Sequence, residues 1–174
     1  MDPARLTSLE QKITDPKNPV SQAIYDLRNL SHGLDTGYIA DPGLARAIGH
    51  ALEMIRRSGD LETVFETEGT VYKPDKQREV IIYRIVQETL NNILKHAASR
   101  KIIIHLHYSL EELTLSITDN GKGFDFTPLT IDASYGLGIK NMQHRTTLMG
   151  ARFQISSTPD EGTNVVVTVP IANT

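Results

Sequence analysis

The chain has 174 residues, of which 39% are hydrophobic, so it can form one ordinary domain with a buried core. Its 18 Lys and Arg residues nearly balance 21 Asp and Glu residues, which argues against a nucleic-acid-binding or membrane-surface protein. It contains no cysteine, which excludes a disulfide framework and a thiolate metal site and fits a reducing compartment. No hydrophobic run is close to the length of about 18 residues that a membrane-spanning helix needs, so we expect no membrane segment.

The first forty residues are expected to precede the main domain. Residues 1–19 contain Pro3, Pro16 and Pro19 among polar residues, which favours a linker or a disordered segment. Over residues 20–40, hydrophobic residues recur at helical spacing until glycines end the pattern, which predicts one helix. Its narrow hydrophobic stripe, which needs a partner, consists of Val20, Ile24, Leu27 and Leu30.

Residues 41–174 alternate helical and strand patterns, which predicts a single α+β domain. Helices are expected at about 43–58, 76–97 and 137–149, and strands at about 61–67, 101–108, 113–118, 151–157 and 164–170. The second and third strands alternate in hydrophobicity around a short turn, which predicts an antiparallel hairpin. We therefore expect a two-layer α/β sandwich with a mixed, mostly antiparallel sheet under helices on one face, preceded by a helical segment.

The long helix predicted over residues 76–97 carries polar residues near its end. Glu88 and Asn92 are four residues apart and therefore lie side by side. At about 100° per residue, Lys95 falls with them along the border of the hydrophobic face. Side chains on this border can face a pocket over the sheet while the helix stays packed. The ordinary alternative is that Glu and Lys on a helix flank are simply solvated.

A glycine-rich turn, Asp119-Asn120-Gly121-Lys122-Gly123, follows the second hairpin strand. Gly121 and Gly123 lack a Cβ and so permit a tight turn and the close approach of a ligand. Ionised Asp119 only accepts hydrogen bonds. At the floor of a pocket it would accept from the exocyclic amine of adenine, whereas guanine has the acceptor O6 at that position and offers no donor there. Taken alone, Asp-Asn-Gly is more typical of a plain hairpin turn.

Gly136, Leu137 and Gly138 stand at the start of the helix predicted over 137–149. Glycines at a helix N-terminus expose backbone N–H groups at the positive end of the helix dipole, which suits a phosphate chain. The pattern is not the dinucleotide-binding fingerprint, because Asn141 occupies the third glycine position. The ordinary alternative is a turn that leads into a helix.

The order and spacing of these three segments resemble the GHKL ATPase superfamily, which joins DNA gyrase, a heat-shock chaperone, histidine kinases and mismatch-repair ATPases. The resemblance covers about residues 43–170. Within the superfamily, Glu-Thr-Leu-Asn-Asn-Ile-Leu-Lys-His-Ala at 88–97 is similar to histidine kinases that signal to response regulators with helix-turn-helix output domains. It implies a Bergerat-type ATP-binding catalytic domain over residues 41–174. Residues 25–34 resemble the second helix of that family's dimerisation hairpin, which implies that residues 20–40 are its remnant.

The resemblance also implies a role for each matching residue. Asn92 matches the residue that holds Mg²⁺ against the triphosphate, and a carbonyl oxygen is a suitable ligand for this cation. Glu88 matches a polarising catalytic carboxylate, and Lys95 matches a phosphate-contacting position. The remaining matches are the adenine-reading Asp119 with its turn at Gly121 and Gly123, the phosphate-side turn Gly136, Leu137 and Gly138, the hydroxyl of Thr163 near the adenine, and the flexible lid at 125–135.

One departure from the family pattern concerns the phosphorylated histidine. In the family, this histidine lies on the first hairpin helix and is followed directly by an acidic residue. None of the six histidines here has an acidic residue after it; they are His32, His50, His96, His105, His107 and His144. We therefore expect the phosphoacceptor to lie outside this chain.

The resemblance implies a fragment that binds ATP and Mg²⁺ and transfers the γ-phosphoryl group to a histidine supplied by a dimerisation and phosphoacceptor domain. The implied partners are that domain, a response regulator and a second copy in the full-length dimer, with no nucleic acid. Its implied place is the cytoplasm, as an isolated protein or as part of a membrane-bound sensor. Two alternatives remain open: a non-enzymatic dimerisation or regulator-docking module on the same fold, and an anti-sigma-type serine kinase.

Overall fold

The computed structural model describes residues 43–58, 61–72, 74–126 and 136–171 of the chain. The described helices are α1 (Gly43–Ser58), α2 (Lys76–Asn92), which a π-helical turn over Ile93–Ala97 extends, and α3 (Gly136–Leu148). The described strands are β1 (Glu62–Gly69), β2 (Lys101–Tyr108), β3 (Glu112–Asp119), β4 (Arg152–Thr158) and β5 (Gly162–Pro170). The linker predicted over 1–19 and the helix predicted over 20–40 lie outside the described residues, so these predictions and the boundary at residue 41 remain predictions. None of the described helices combines the length and hydrophobicity that crossing a bilayer requires.

The five strands form one mixed sheet in the order β1-β2-β3-β5-β4. β1 and β2 are parallel, because α2 lies between them in the chain and provides the crossover that parallel neighbours need. The other three pairings are antiparallel, including the hairpin of β2 and β3. The predicted mixed, mostly antiparallel sheet is therefore confirmed.

One face of the sheet forms the core and the other is polar. Along β2, β3 and β5, every second side chain is buried, as expected for a sheet covered on one face only. On the opposite face, the hydroxyl groups of Ser116 and Thr118 both donate to Oδ1 of Asn164, each at 3.1 Å. The buried strand residues are Ile102, Ile104, Leu106, Leu113, Leu115, Ile117, Val165, Val167 and Val169. The fold is thus the predicted two-layer α/β sandwich.

Helix α2 packs along the core face and ends at the edge of the sheet where β3 ends. Its N-terminus is capped by Asp75, whose Oδ1 accepts from the backbone N–H of Arg78 at 2.9 Å. Its hydrophobic side is completely buried and consists of Ile82, Ile85, Val86 and Leu90. Burial of this side fixes the rotation of the helix, and with it the direction of the polar residues in its last turn.

The first turn of α2 also anchors the first turn of α1. Oε1 of Glu79 accepts from the backbone N–H of Leu44 at 3.3 Å, and the Glu79 side chain is only 2% exposed. Helix α1 has no acidic residue in its own first turn, so Glu79 provides a hydrogen-bond acceptor for one of the N–H groups that have no partner within the helix. Among the described residues, Oε2 of Glu79 has no hydrogen-bond donor.

We predict that Glu79→Ala lowers the free energy of unfolding by about 1–3 kcal/mol, because α1 loses its acceptor and a buried side chain is removed. Urea denaturation of the two proteins measures this difference. The control is Glu53→Ala on the exposed side of α1, where Glu53 pairs with Arg56 and Arg57 and a much smaller loss is expected. Equal losses for the two variants would show that Glu79 does not anchor α1.

Candidate functional site

A cavity of about 590 Å³ lies between α2, α3 and the core face of the sheet. Its volume is typical of sites that enclose a small molecule, for which about 300–1,000 Å³ is usual. Residues far apart in the sequence meet here, at the end of α2, the end of β3, the start of α3 and the start of β5. The predicted site residues that line the cavity are Asn92, Asp119, Gly123, Leu137, Gly138 and Thr163.

Asp119 is a buried carboxylate at the floor of this cavity, with 3% of its surface exposed. The backbone N–H of Gly121 donates to its Oδ1 at 2.7 Å, and the backbone N–H of Thr163 also donates to the carboxylate. Burial raises the pKa of Asp119 above its ordinary value, and the two N–H donors only partly oppose this rise. The ionised group therefore offers lone pairs to a ligand at a cost to the folded chain.

The turn after Asp119 needs both of its glycines. A Cβ on Gly121 would overlap the carbonyl oxygen of Ala97, and a Cβ on Gly123, at φ +53°, would overlap the carbonyl oxygen of Thr158. Between them, the N–H of Lys122 donates to Ala97 O at 2.8 Å. The turn is thus held between the end of α2 and the β4–β5 hairpin, and Gly121 serves this packing without lining the cavity.

The start of α3 packs closely against Glu88 and Asn92 on α2. A Cβ on Gly138 would overlap Oε1 of Glu88 and would lie 3.7 Å from Nδ2 of Asn92. A larger residue at this position would have to displace the end of the Glu88 side chain, so glycine lets the N-terminus of α3 lie beside Glu88 as it is now oriented. Asn92 lines the cavity, whereas Glu88 lies beside Gly138 at its border.

Lys95, which is predicted at the phosphate side, is not among the described residues that line the cavity. Lys95 is exposed, and Gly136 is the first residue of α3. Their contacts with a ligand remain predictions. Most of the expected lid, residues 127–135, lies outside the described residues.

The sequence prediction missed two residues with nitrogen-containing side chains that do line the cavity, His96 and Lys122. His96 directly follows Lys95 in the helix motif, and Lys122 stands between Gly121 and Gly123. Both residues therefore belong to motifs from which the sequence predicts other site residues. The prediction also missed the hydrophobic lining, which suits a flat aromatic base and consists of Ile93, Ile117, Ile139, Met142, Ile155 and Val165. Core and pocket residues have the same sequence pattern, so periodicity could not separate them.

The arrangement offers different chemistry at its two ends. One group of residues consists of the acceptor Asp119 with hydrophobic lining residues, and the other consists of Asn92, Glu88 and the N-terminus of α3, which Gly138 brings together. In the part of the chain that the structure describes, no group of three or more His, Cys, Asp or Glu residues is placed to hold a metal ion. A metal ion in this cavity would therefore take most of its ligands from the bound substrate and water, which is how Mg²⁺ usually binds with phosphates.

We predict that Asp119→Asn raises the Tm of the ligand-free chain at neutral pH. The folded state binds the Asp119 proton more tightly than the unfolded state, because its pKa is raised on folding. Stability therefore falls as pH rises from the unfolded pKa through the raised folded pKa, and the full cost is present at neutral pH. Asparagine does not carry this cost.

Thermal unfolding of both proteins at about pH 7 and about pH 4, near the ordinary pKa of aspartate, tests the sign. The variant's advantage in Tm should shrink at the lower pH, because protonation of Asp119 in the folded state removes part of the cost of burying its charge. A variant less stable than the wild type at pH 7 would show that the N–H donors outweigh burial.

Comparison with known proteins places this site in a family. Residues 77–173 match the family described as histidine kinase-, DNA gyrase B-, and HSP90-like ATPases. The chain is 32% identical over 163 residues to the sensor protein VraS of Staphylococcus saprophyticus, covering 94% of this chain and 46% of that protein. VraS of Staphylococcus haemolyticus is 31% identical over 163 residues, covering 94% of this chain and 45% of that protein. The chain thus spans about half the length of the curated relatives it matches.

Solved structures show the same fold. The histidine kinase domain of the blue-light activated histidine kinase EL346 from Erythrobacter litoralis superposes with a TM-score of 0.57 at 21% identity, covering 74% of this chain and 65% of that chain. The mycobacterial sensor histidine kinase MprB superposes with a TM-score of 0.52 at 21% identity, covering 71% of this chain and 91% of that chain. On the sequence match and the fold together, the chain belongs to the histidine kinase-, DNA gyrase B-, and HSP90-like ATPases and carries the ATP-binding domain of a sensor histidine kinase.

Proposed function

We propose that this chain binds Mg·ATP and positions the γ-phosphoryl group for transfer to a histidine outside the chain. The observation that carries the proposal is that Asp119 and Asn92 line one cavity, although they lie on different elements and far apart in the sequence. An adenine-binding carboxylate and a metal-binding amide are useful to one ligand only if they share a cavity. Phosphoryl transfer depends mainly on positioning and on charge neutralisation, which such a cavity can provide.

The adenine is assigned to the end of the cavity that holds Asp119. Ionised Asp119 accepts from the 6-amino group, and Thr163, whose backbone N–H holds the carboxylate, adds a hydroxyl group beside it. The hydrophobic side chains of Ile117, Met142 and Val165 cover the flat faces of the base. This end therefore binds the base by shape and by one charged hydrogen bond.

The phosphates are assigned to the end formed by α2 and α3. The Asn92 amide oxygen would hold Mg²⁺, which neutralises charge on the phosphates, and Glu88 would orient the attacking imidazole at the border of the cavity. Gly136, Leu137 and Gly138 would direct the free N–H groups and the positive dipole end of α3 at the phosphate chain. Lys95 and the cavity-lining Lys122 would add positive charge nearby, and the imidazole of His96 lines the same cavity.

The histidine that receives the phosphoryl group is assigned to a dimerisation and phosphoacceptor domain of the full-length protein. In the family pattern, an acidic residue directly follows the acceptor histidine. None of the histidines in this chain has an acidic residue after it. The helix predicted over residues 20–40 would be the remnant of the dimerisation hairpin. A homodimer of the full-length protein and a response regulator that takes the phosphoryl group from the histidine complete the proposed pathway.

We predict that the chain binds Mg·ATP and that Asp119→Asn weakens the affinity by about 10- to 100-fold, the usual effect of losing a hydrogen bond to a charged group. Isothermal titration calorimetry measures both affinities, and chelation of Mg²⁺ should weaken binding to the wild type. The matched control is Asp160→Asn, at an exposed turn position with φ +64° that asparagine tolerates, and it should bind like the wild type. A wild-type chain that gives no binding signal would disprove the proposed function.

We also predict that the chain with Mg·ATP does not phosphorylate itself but phosphorylates a separately prepared hairpin that carries the acceptor histidine of the full-length protein. Glu88→Gln should slow this transfer by about 100-fold or more, the usual effect of losing a general base, while Mg·ATP affinity stays unchanged. Acid-labile ³²P on each fragment is measured over time. Label on this chain alone would contradict the assignment of the acceptor.

A further inference from the structure

Ser157, near the end of β4, makes three hydrogen bonds beside the cavity without lining it. Its Oγ lies 3.0 Å from the backbone N of Phe124, 2.9 Å from the carbonyl oxygen of Gly162 and 3.0 Å from Oγ1 of Thr163. These contacts join the turn after Asp119 to both strands of the β4–β5 hairpin. The directions of the three bonds can be worked out from the number of protons available.

A serine hydroxyl has one proton and two lone pairs. The N–H of Phe124 can only donate, so it occupies one lone pair of Ser157 Oγ. The carbonyl of Gly162 can only accept, so it takes the single Ser157 proton. One lone pair of Ser157 remains for the third contact, and Thr163 must therefore be the donor in that contact. All the hydrogen-bonding capacity of Ser157 is then used.

This direction determines what Thr163 can offer to a ligand. Its hydroxyl proton is directed to Ser157, so Oγ1 presents only lone pairs to the cavity that Thr163 lines. Its backbone N–H is directed to the carboxylate of Asp119. Asp119, when ionised, also presents only lone pairs. The floor of the cavity thus has two adjacent acceptors and no proton to give from either side chain.

We propose that Ser157 is a positioning residue that makes the site select 6-amino purines over 6-oxo purines by holding Thr163 as an acceptor. The proposal rests on the proposed function, because it assumes that the base lies at Asp119. A 6-amino group has two N–H donors for two acceptors, whereas a 6-oxo group brings a third set of lone pairs to the same place. Without Ser157, the Thr163 hydroxyl is free to rotate and donate to a 6-oxo group.

The test compares the affinities of ATP and inosine triphosphate, which differ in the 6-substituent and the protonation of N1. Calorimetry is carried out on the wild type and on Ser157→Ala, with Mg²⁺ present. We expect the preference for ATP over inosine triphosphate to fall by about three- to tenfold in the variant, the usual effect of one neutral hydrogen bond. A general loosening of the Phe124 turn would weaken both nucleotides alike and leave the ratio unchanged.

Two further variants give matched controls. Ser156→Ala changes the neighbouring residue on β4, which is exposed and is paired with Asn164 of β5 and not with Thr163. This variant should keep the wild-type ratio of the two affinities. Ser157→Thr keeps a hydroxyl group and should restore the ratio. If Ser157→Ala does not fold, Ser157→Cys gives the same measurement, because a thiol is a weak donor and acceptor of similar shape.

The outcomes separate this inference from the proposed function. An unchanged ratio in a folded Ser157→Ala or Ser157→Cys protein that binds ATP would overturn the role of Ser157 and leave the proposed function standing. Failure of the wild type to bind ATP would overturn both. A double change, Ser157→Ala with Thr163→Val, adds a sharper check, because the effect of Ser157 on the ratio should vanish once the Thr163 hydroxyl is gone.

Discussion

The site depends on one costly feature, the buried carboxylate of Asp119. An ionised carboxylate under a sheet and two helices is unfavourable unless donors surround it, and here the backbone N–H groups of Gly121 and Thr163 are those donors. To bring them there, the chain must turn within two residues of β3 and pass close to the backbone of Ala97. The glycines of the motif are therefore required by the packing of the turn that carries the carboxylate.

Helix α2 connects this site to the rest of the domain. Its first turn holds the N-terminus of α1 through Glu79, and its middle is buried in the core. Its last turns place Asn92 in the cavity lining and Glu88 beside Gly138 at the border. Thr89, on the same helix, donates to Sδ of Met142 and so ties α2 to α3. One rigid element thus fixes the positions of side chains that come from its own end and from the start of α3, as a site for phosphoryl transfer requires.

The sequence predicts the layers and the sheet well, because hydrophobic periodicity reports which face of an element is buried. It predicts the end of α2 less well. The prediction placed Lys95 on the cavity side by extending α-helical geometry, but residues 93–97 form a π turn, which has more residues per revolution. The side chain of Lys95 is therefore rotated away from the position that an α-helix would give it, and its contact with a ligand stays a prediction. Ser157 was missed for a different reason: a serine at an alternating strand position has no pattern of its own, and only the contacts with Phe124 and Thr163 distinguish it.

In the proposed complex, the hydrogen-bonding groups near Asp119 differ from those at the start of α3, and this difference would orient the nucleotide. The N–H of Gly121 donates to Asp119, and the hydroxyl proton of Thr163 is directed to Ser157, so this side of the cavity needs donors from the ligand. The first turn of α3 has backbone N–H groups without intrahelical partners, so its end needs acceptors. A nucleotide has N–H donors on its base and only acceptors on its phosphates. The reverse orientation would place the lone pairs of the phosphates against those of Asp119 and Thr163. It would also leave the N–H groups at the start of α3 without the phosphates as acceptors. Under the proposed function, the orientation of the nucleotide would therefore follow from the distribution of protons in the protein, before any metal ion or lid contributes.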